Sequence, residues 1–227
     1  MKIIEDKNKI LEYMHKYELE NVIGKELIMH CELHTFEKGD YICQTEQEVA
    51  YFYYFVEGKA KIYTLLENGK KSLLRFYQPL NVLGDVEVFH YNQYRVFVEA
   101  LENSVCIGIP MKLVRLYGIN NVVFLRFLGN HLAQKLDSIT YKSSMNLYPL
   151  EARLSSYIIE NIQNENNICE IESNYSDLAE LLGTSYRHLN RMLIKLVRDQ
   201  IIDKKGKTII IMKKEELKAL AGDFYQM

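Results

Sequence analysis

Arg187, Asn190 and Arg191 carry side chains whose donors and acceptors match base edges, and helical spacing puts them on one side of a helix. Arginine is matched to guanine and asparagine to adenine. Tyr186 and His188 lie at the same helix start. Thr184, Ser185, Lys195, Lys204, Lys205 and Lys207 surround that cluster with hydroxyls and ammonium groups suited to phosphate oxygens. The chain carries a formal net charge of -2, yet Gly183 to Lys214 holds six lysines and three arginines against Asp199 and Asp203. Positive charge concentrated in this way is the electrostatic footprint of contact with a nucleic-acid backbone. A helical hairpin with a solvated basic face is the alternative reading.

Two helices and a hairpin must position these groups. Leu178, Ala179 and Leu182 mark the apolar face of a first helix, and Leu189, Met192, Leu193 and Leu196 mark that of a second. Gly183 lies between them as a turn. Asn174 and Ser185 are suited to cap the two helix starts, Asn174 with Asp177 three residues on. Beyond Asp199 the pattern becomes short β-branched runs, Ile201 to Ile202 and Thr208 to Ile211, around Lys204, Lys205, Gly206 and Lys207. That is a hairpin, or wing, flanking the second helix.

At 227 residues the chain can bury two modest cores, and the pattern changes near Tyr148. The part before it reads as strands and turns, the part after as helical. Hydrophobic residues make up 48% and charged residues 26%, ordinary globular values. The start, MKIIEDKNK, is interrupted by charge, and the longest apolar run, Val49 to Val56, is too short to cross a bilayer. The expectation is a soluble cytoplasmic protein with no membrane partner.

Short β-rich runs cover Tyr41 to Gln44, Tyr51 to Glu57, Lys61 to Leu66, Leu73 to Tyr77, Tyr94 to Ala100 and Val105 to Ile109. Turn signals at Lys38-Gly39-Asp40, Gly58, Asn68-Gly69 and Pro79 to Asn81 separate most of them, which argues a sandwich or barrel. A helix from Asn121 to Met145 follows, with Asn120 as its expected cap. Leu125, Leu128, Leu132, Leu136 and Ile139 form a stripe along it, suited to pairing with another helix or to packing on the β domain. Cys31, Cys43, Cys106 and Cys169 contain no CxxC pair and sit in strand-like surroundings, where thiols act as small hydrophobes. Alternation places His30, Glu32 and His34 on one strand face, either a zinc or iron site or the solvent side of the strand.

The order of strands, long helix and winged helix-turn-helix resembles the cyclic-AMP receptor protein and FNR family over nearly the whole chain. The strings IPMKLVRLYGINNVVFLRFL and LLGTSYRHLNRML are most similar to the YeiL-type regulators within it. The resemblance implies an α+β protein with three parts. These are a cyclic-nucleotide-binding-like β-roll, a double-stranded β-helix, at residues 1–118, a long dimerisation helix at 119–146, and a winged helix-turn-helix DNA-binding domain at 147–227. LGDVEVFHYNQYRVFVEA echoes the family's phosphate-binding cassette, with Gly84 and Asp85 at its start and Arg95 as the phosphate clamp. In that cassette the acid holds a ribose hydroxyl. Val96 stands where a hydroxyl residue is expected and Phe97 replaces a small neighbour. Losing one hydrogen bond to a charged group costs about 1.5–3 kcal/mol, so cyclic AMP fits this pocket poorly. Ser138 and Thr140 are the positions on the long helix that would reach a nucleotide. The alternative for Asp85 and Arg95 is an ion pair that holds the cassette loop without ligand. The cysteine cluster near the start of the FNR branch has no counterpart before Cys31, which argues against an iron–sulfur cofactor. In the recognition helix Arg191 keeps a base-contacting arginine, whereas Tyr186 and Arg187 stand where arginine and glutamate are expected.

The function expected from these residues is a homodimeric transcription regulator that binds double-stranded DNA at a two-fold related operator, with RNA polymerase as a partner by resemblance. It is not expected to be an enzyme. The rivals are a cyclic-nucleotide-binding module acting on a partner protein and a cupin-type metal enzyme built on His30, Glu32 and His34.

Overall fold

The computed structural model describes residues 1–67, 69, 71–145, 148–163, 167–171 and 174–221, with backbone alone at 138–145 and 163. The chain divides into two compact units, Met1–Asp137 and Ser138–Met227.

In the first unit, strand β1 (Lys2–Ile4), helix α1 (Lys7–Lys16) and helix α2 (Lys25–Ile28) precede β2 (Glu32–Phe36), β3 (Tyr41–Cys43), β4 (Tyr51–Glu57), β5 (Ala60–Leu65) and β6 (Lys71–Tyr77). Strands β7 (Asn81–Leu83), β8 (Phe97–Ala100) and β9 (Ser104–Pro110) follow, then helix α3 (Met111–Tyr117) and helix α4 (Val122–Met145), whose last eight residues belong to the second unit. One antiparallel sheet has the order β1-β2-β9-β4-β7 and the other β3-β8-β5-β6. A single hydrophobic cluster takes Phe52, Tyr54 and Ile107 from the first sheet and Ile42, Ile62 and Val98 from the second. Strand β4 lies between two neighbours and is buried on both faces, from Phe52 to Val56. Burial on both faces explains its continuous apolar run, where a half-exposed strand would alternate.

The strands expected from sequence appear within a few residues of their limits, but this region is not all strands and turns. Asp6 caps α1 by accepting from the Lys9 amide at 2.9 Å, and the helix buries Ile10, Tyr13 and Met14 against the sheets. Its charged residues mask that short apolar stripe in the sequence. The expected strand from Tyr94 is trimmed to Phe97–Ala100, because Tyr94 and its neighbours instead pair with the segment around Glu46 to Val49. The cap of α4 is Asn121 rather than Asn120. Asn121 Oδ1 accepts from the amides of Val123 and Phe124 at 2.9 and 3.2 Å, whereas the Asn120 amide nitrogen donates back to Leu116 O.

Helix α4 carries one broad apolar arc that is buried along one edge and open along the other. Phe124 and Leu128 are fully buried in the roll's core, with Phe127 packed beside them. Leu125 and Leu132 are half-buried, and Leu136 is 63% exposed. The side chain of Ile139 lies outside the described residues. The stripe is therefore graded: Leu128 packs on the β domain, and Leu132, Leu125 and Leu136, about 40–80° round the helix from it, lie along the adjoining, less covered edge.

The second unit contains α5 (Leu150–Glu160), β10 (Ile162–Gln163), β11 (Ile168–Glu170), α6 (Tyr175–Leu181), α7 (Tyr186–Arg198), β12 (Ile202–Lys205), β13 (Thr208–Ile211) and α8 (Lys214–Ala221). Its sheet has the order β10-β11-β13-β12, so the wing is the outer part of a four-stranded sheet rather than an isolated hairpin. Leu154, Ile158, Leu178, Leu189, Leu193, Leu196, Ile209 and Leu217 share one core.

Candidate nucleic-acid interface and roll pocket

Helix α6 starts at Asn174, whose side chain accepts from the Asp177 amide, and α7 starts at Ser185, whose hydroxyl accepts from the His188 amide at 3.2 Å. Between them Gly183 adopts φ +61°, the left-handed conformation that ends α6, with Gly183 N donating to Glu180 O and Thr184 N to Ala179 O. Leu189, Leu193 and Leu196 are buried and Met192 is half-buried, as their spacing requires. The opposite face of α7 presents Arg187 and Arg191 to solvent, with Asn190 half-buried beside them. Tyr186 is exposed at the first turn, and the His188 ring lies 3.4 Å from the Thr184 hydroxyl.

The wing is held to this helix pair by a residue that the sequence pattern did not single out. Tyr175, at the start of α6, donates from its hydroxyl to Gly206 O at 2.8 Å, and Lys204 Nζ lies 4.2 Å from its ring centroid. Partial burial pushes the Tyr175 phenol up to about 12, so it stays a neutral donor across the physiological range. Lys205 and Lys207 remain exposed at the wing turn. Lys195 is exposed too, but its ammonium pairs with Glu151 on α5 at 2.7 Å. That pair must open, or be shared, before Lys195 can meet a phosphate.

The roll pocket differs from its expected form. Gly84 adopts φ +87°, and an added Cβ would lie 3.2 Å from Tyr51 O and 3.1 Å from the Met111 methyl, so glycine suits both the backbone and the space. Asp85 is only 2% exposed. Its carboxylate takes both oxygens to Lys135 Nζ on α4, at 2.7 and 2.8 Å, and the same ammonium donates to Val82 O at 3.1 Å. Lys135 also lies 5.4 Å from the Tyr77 ring centroid. Burial opposes its charge, but Tyr77 and Asp85 together outweigh that and hold the ammonium above its ordinary value. Glu87, buried close by, is pushed up by burial first and by Asp85 second. Beside this group His131 is pulled down by burial and by Lys135.

Arg95 does not pair with Asp85. Its guanidinium donates to the Tyr91 hydroxyl at 3.0 Å and stacks over that ring at 4.9 Å, on an exposed part of the cassette loop. The loop is clamped instead by Arg115 of α3, which donates to Glu87 O, Tyr91 O and Asn92 Oδ1 at 2.7–2.9 Å. Val96 packs against the roll's core, and Phe97 stacks on Tyr63 with ring planes 10° apart. The side chains of Ser138 and Thr140 lie outside the described residues. Lys135, Glu87 and Arg115 were not anticipated, and only their three-dimensional neighbours distinguish them from other charged residues.

Of His30, Glu32 and His34 only the last two share a strand face as expected, because β2 begins at Glu32 and His30 is exposed before it. His34 is completely buried, with one ring nitrogen bonded to the Tyr53 hydroxyl and the other to Glu32. Among the described residues no group of three or more His, Cys, Asp or Glu side chains is arranged to hold a metal ion. Cys43, Cys106 and Cys169 are buried and Cys31 is half-buried, none of the four in a disulfide; burial pushes Cys31 up to about 12.

A β-roll of this topology followed by a helix-turn-helix with a wing defines a regulator of the helix-turn-helix class. Residues 33–117 match the family model of the cyclic nucleotide-binding domain, and residues 152–220 match that of the Crp-like helix-turn-helix domain. Regulatory protein YeiL of Escherichia coli O157:H7 is 31% identical over 190 residues, covering 82% of this chain and 84% of that protein. The chain belongs to the CRP/FNR family of transcription regulators. The fold is also that of a CooA mutant from Carboxydothermus hydrogenoformans, at TM-score 0.74 and 13% identity over 97% of this chain and 98% of that one. FixK2 from Bradyrhizobium japonicum is similar at TM-score 0.72 and 18% identity, covering 84% and 96%. No helix among the described residues is long and apolar enough to cross a membrane.

Proposed function

We propose that the protein binds double-stranded DNA as a cytoplasmic homodimer, each winged domain occupying one major-groove half-site of a two-fold related operator. The observation that carries this is α7, whose leucines are buried while Arg187, Asn190 and Arg191 line its other side. Tyr186 and His188 flank these base-reading residues. Thr184, Ser185, Lys195, Lys204, Lys205 and Lys207 hold phosphates. Residues 1–118 form the sensor, 119–146 the dimerisation helix and 147–227 the DNA-binding domain. The half-buried Leu125 and Leu132 and the exposed Leu136 support pairing of α4 with its copy. RNA polymerase is the further protein partner.

The roll's effector is not cyclic AMP. The acid that would take a ribose hydroxyl already holds Lys135, and the arginine that would clamp a phosphate lies on Tyr91. Val96 offers no hydroxyl in its place. Saturating cyclic AMP or cyclic GMP should therefore leave the affinity for duplex DNA unchanged in a fluorescence-anisotropy titration, and a large gain in affinity would reject this assignment.

Arg191→Ala should lower specific binding by about 1–3 kcal/mol with little effect on random duplex, while Lys205→Ala weakens binding to all sequences alike and flattens the salt dependence. The measurement is a salt titration of each variant on a selected duplex and on random DNA. Equal losses on both duplexes for Arg191→Ala would remove its base-reading role, and binding that ignores salt would remove the DNA-binding reading.

A further inference from the structure

We infer that Ile194 is a sequence-reading residue, its side chain packing on the C5-methyl group of a thymine in the major groove beside the bases taken by Arg187 and Arg191. This rests on the DNA-binding role proposed for α7. Ile194 is 60% exposed, although helix α7 buries Leu189, Leu193 and Leu196. At about 100° per residue, Ile194 lies within about 60° of Arg187, Asn190, Arg191 and Arg198, and at least about 100° from each buried leucine. It is therefore an apolar side chain in the middle of the polar face, away from the boundary where amphipathic helices usually carry mixed residues. One turn before it stand Asn190 and Arg191, and two turns before it Arg187, all three on the side that faces solvent.

The chemistry of that face selects the ligand. Arginine and asparagine take hydrogen-bonding groups on guanine and adenine, whereas an aliphatic group can distinguish a base only by shape and apolar contact. In the major groove thymine alone offers a methyl group for such contact. A β-branched side chain on a helix has one strongly preferred χ1 rotamer, so Ile194 meets the groove with little conformational freedom left to lose. The neighbouring cations hold the helix against the backbone and bring the isoleucine within reach. Ile194 stands two helical turns after Arg187, so its thymine lies further along the groove than the base taken by Arg187.

The test uses a duplex selected by the full chain from a random-sequence pool, with each thymine replaced in turn by deoxyuridine, which removes only the methyl group. At one position in each half-site the replacement should weaken wild-type binding by about three- to tenfold, the range expected for losing one buried methyl contact. Ile194→Ala should bind the thymine duplex correspondingly more weakly and be indifferent to deoxyuridine at that position. Alanine is the better helix former at this exposed site, so the variant should fold, which its circular dichroism will show. Arg191→Ala, by contrast, should keep the sensitivity to that methyl group. Specific binding that ignores every thymine methyl, or an Ile194→Ala variant that still senses it, overturns the assignment while leaving DNA recognition intact. Absence of specific binding to any selected duplex overturns both.

Discussion

Lys135→Ala lowers the stability of the roll by about 3–5 kcal/mol, the usual effect of leaving one member of a buried ion pair unpaired. Asp85 is the residue left behind, 3% exposed at its side chain and without the ammonium that meets both its oxygens. The Val82 carbonyl loses its donor as well. The loss belongs to the stranded charge and not to the pair as such, so a Lys135→Met, Asp85→Asn double variant should recover most of it. Denaturant unfolding of the wild type, both single variants and the double variant measures this coupling, and additive losses would show that the two groups act independently. The ammonium is held above its ordinary value of 10.5. A base raised in this way contributes fully below its unfolded pKa and loses that contribution as pH climbs through the folded one. The difference between wild type and Lys135→Met should therefore keep its Lys135 contribution through neutral pH and lose it only in alkali.

Leu193→Ala destabilises the winged unit by about 2–5 kcal/mol, through lost apolar burial and the cavity left behind. Leu193 is 1% exposed in the middle of α7, and with Leu189 and Leu196 it forms the face on which the helix rests. The roll's core and the winged unit's core have no residue in common. Calorimetry should therefore move the transition of the winged unit much further than that of the roll. Duplex binding should fall with the folded fraction and return on cooling. A shift no larger than that of the exposed Ile194→Ala would reject the central place of Leu193 in this core.

The recognition helix was legible because its determinants are local. Capping by Asn174 and Ser185, the turn at Gly183 and the leucine spacing each act within a few residues, and each appears at its expected place. Most of the roll's strands were legible for the same reason. Helix α1 was not, since a short amphipathic stretch rich in charge becomes a helix only when Ile10, Tyr13 and Met14 find a core. The cap of α4 moved by one residue because Asn120 and Asn121 are chemically identical, and only the path of the backbone chooses between them.

The pocket was the least legible part. Resemblance pointed to Asp85 and Arg95, and both were plausible partners for a ligand or for each other. Asp85 instead joins Lys135, fifty residues further along the chain, and Arg95 turns to Tyr91, four residues before it. Residue types and spacing on their own determined the two-part organisation and the helix that carries the arginines, because helix periodicity and capping depend on neighbours in sequence; the family followed from resemblance. Which charges meet in the roll and which face of α4 stays uncovered were decided by tertiary structure. Those outcomes depend on burial and on contacts between distant segments, and local residue pattern carries no term for either.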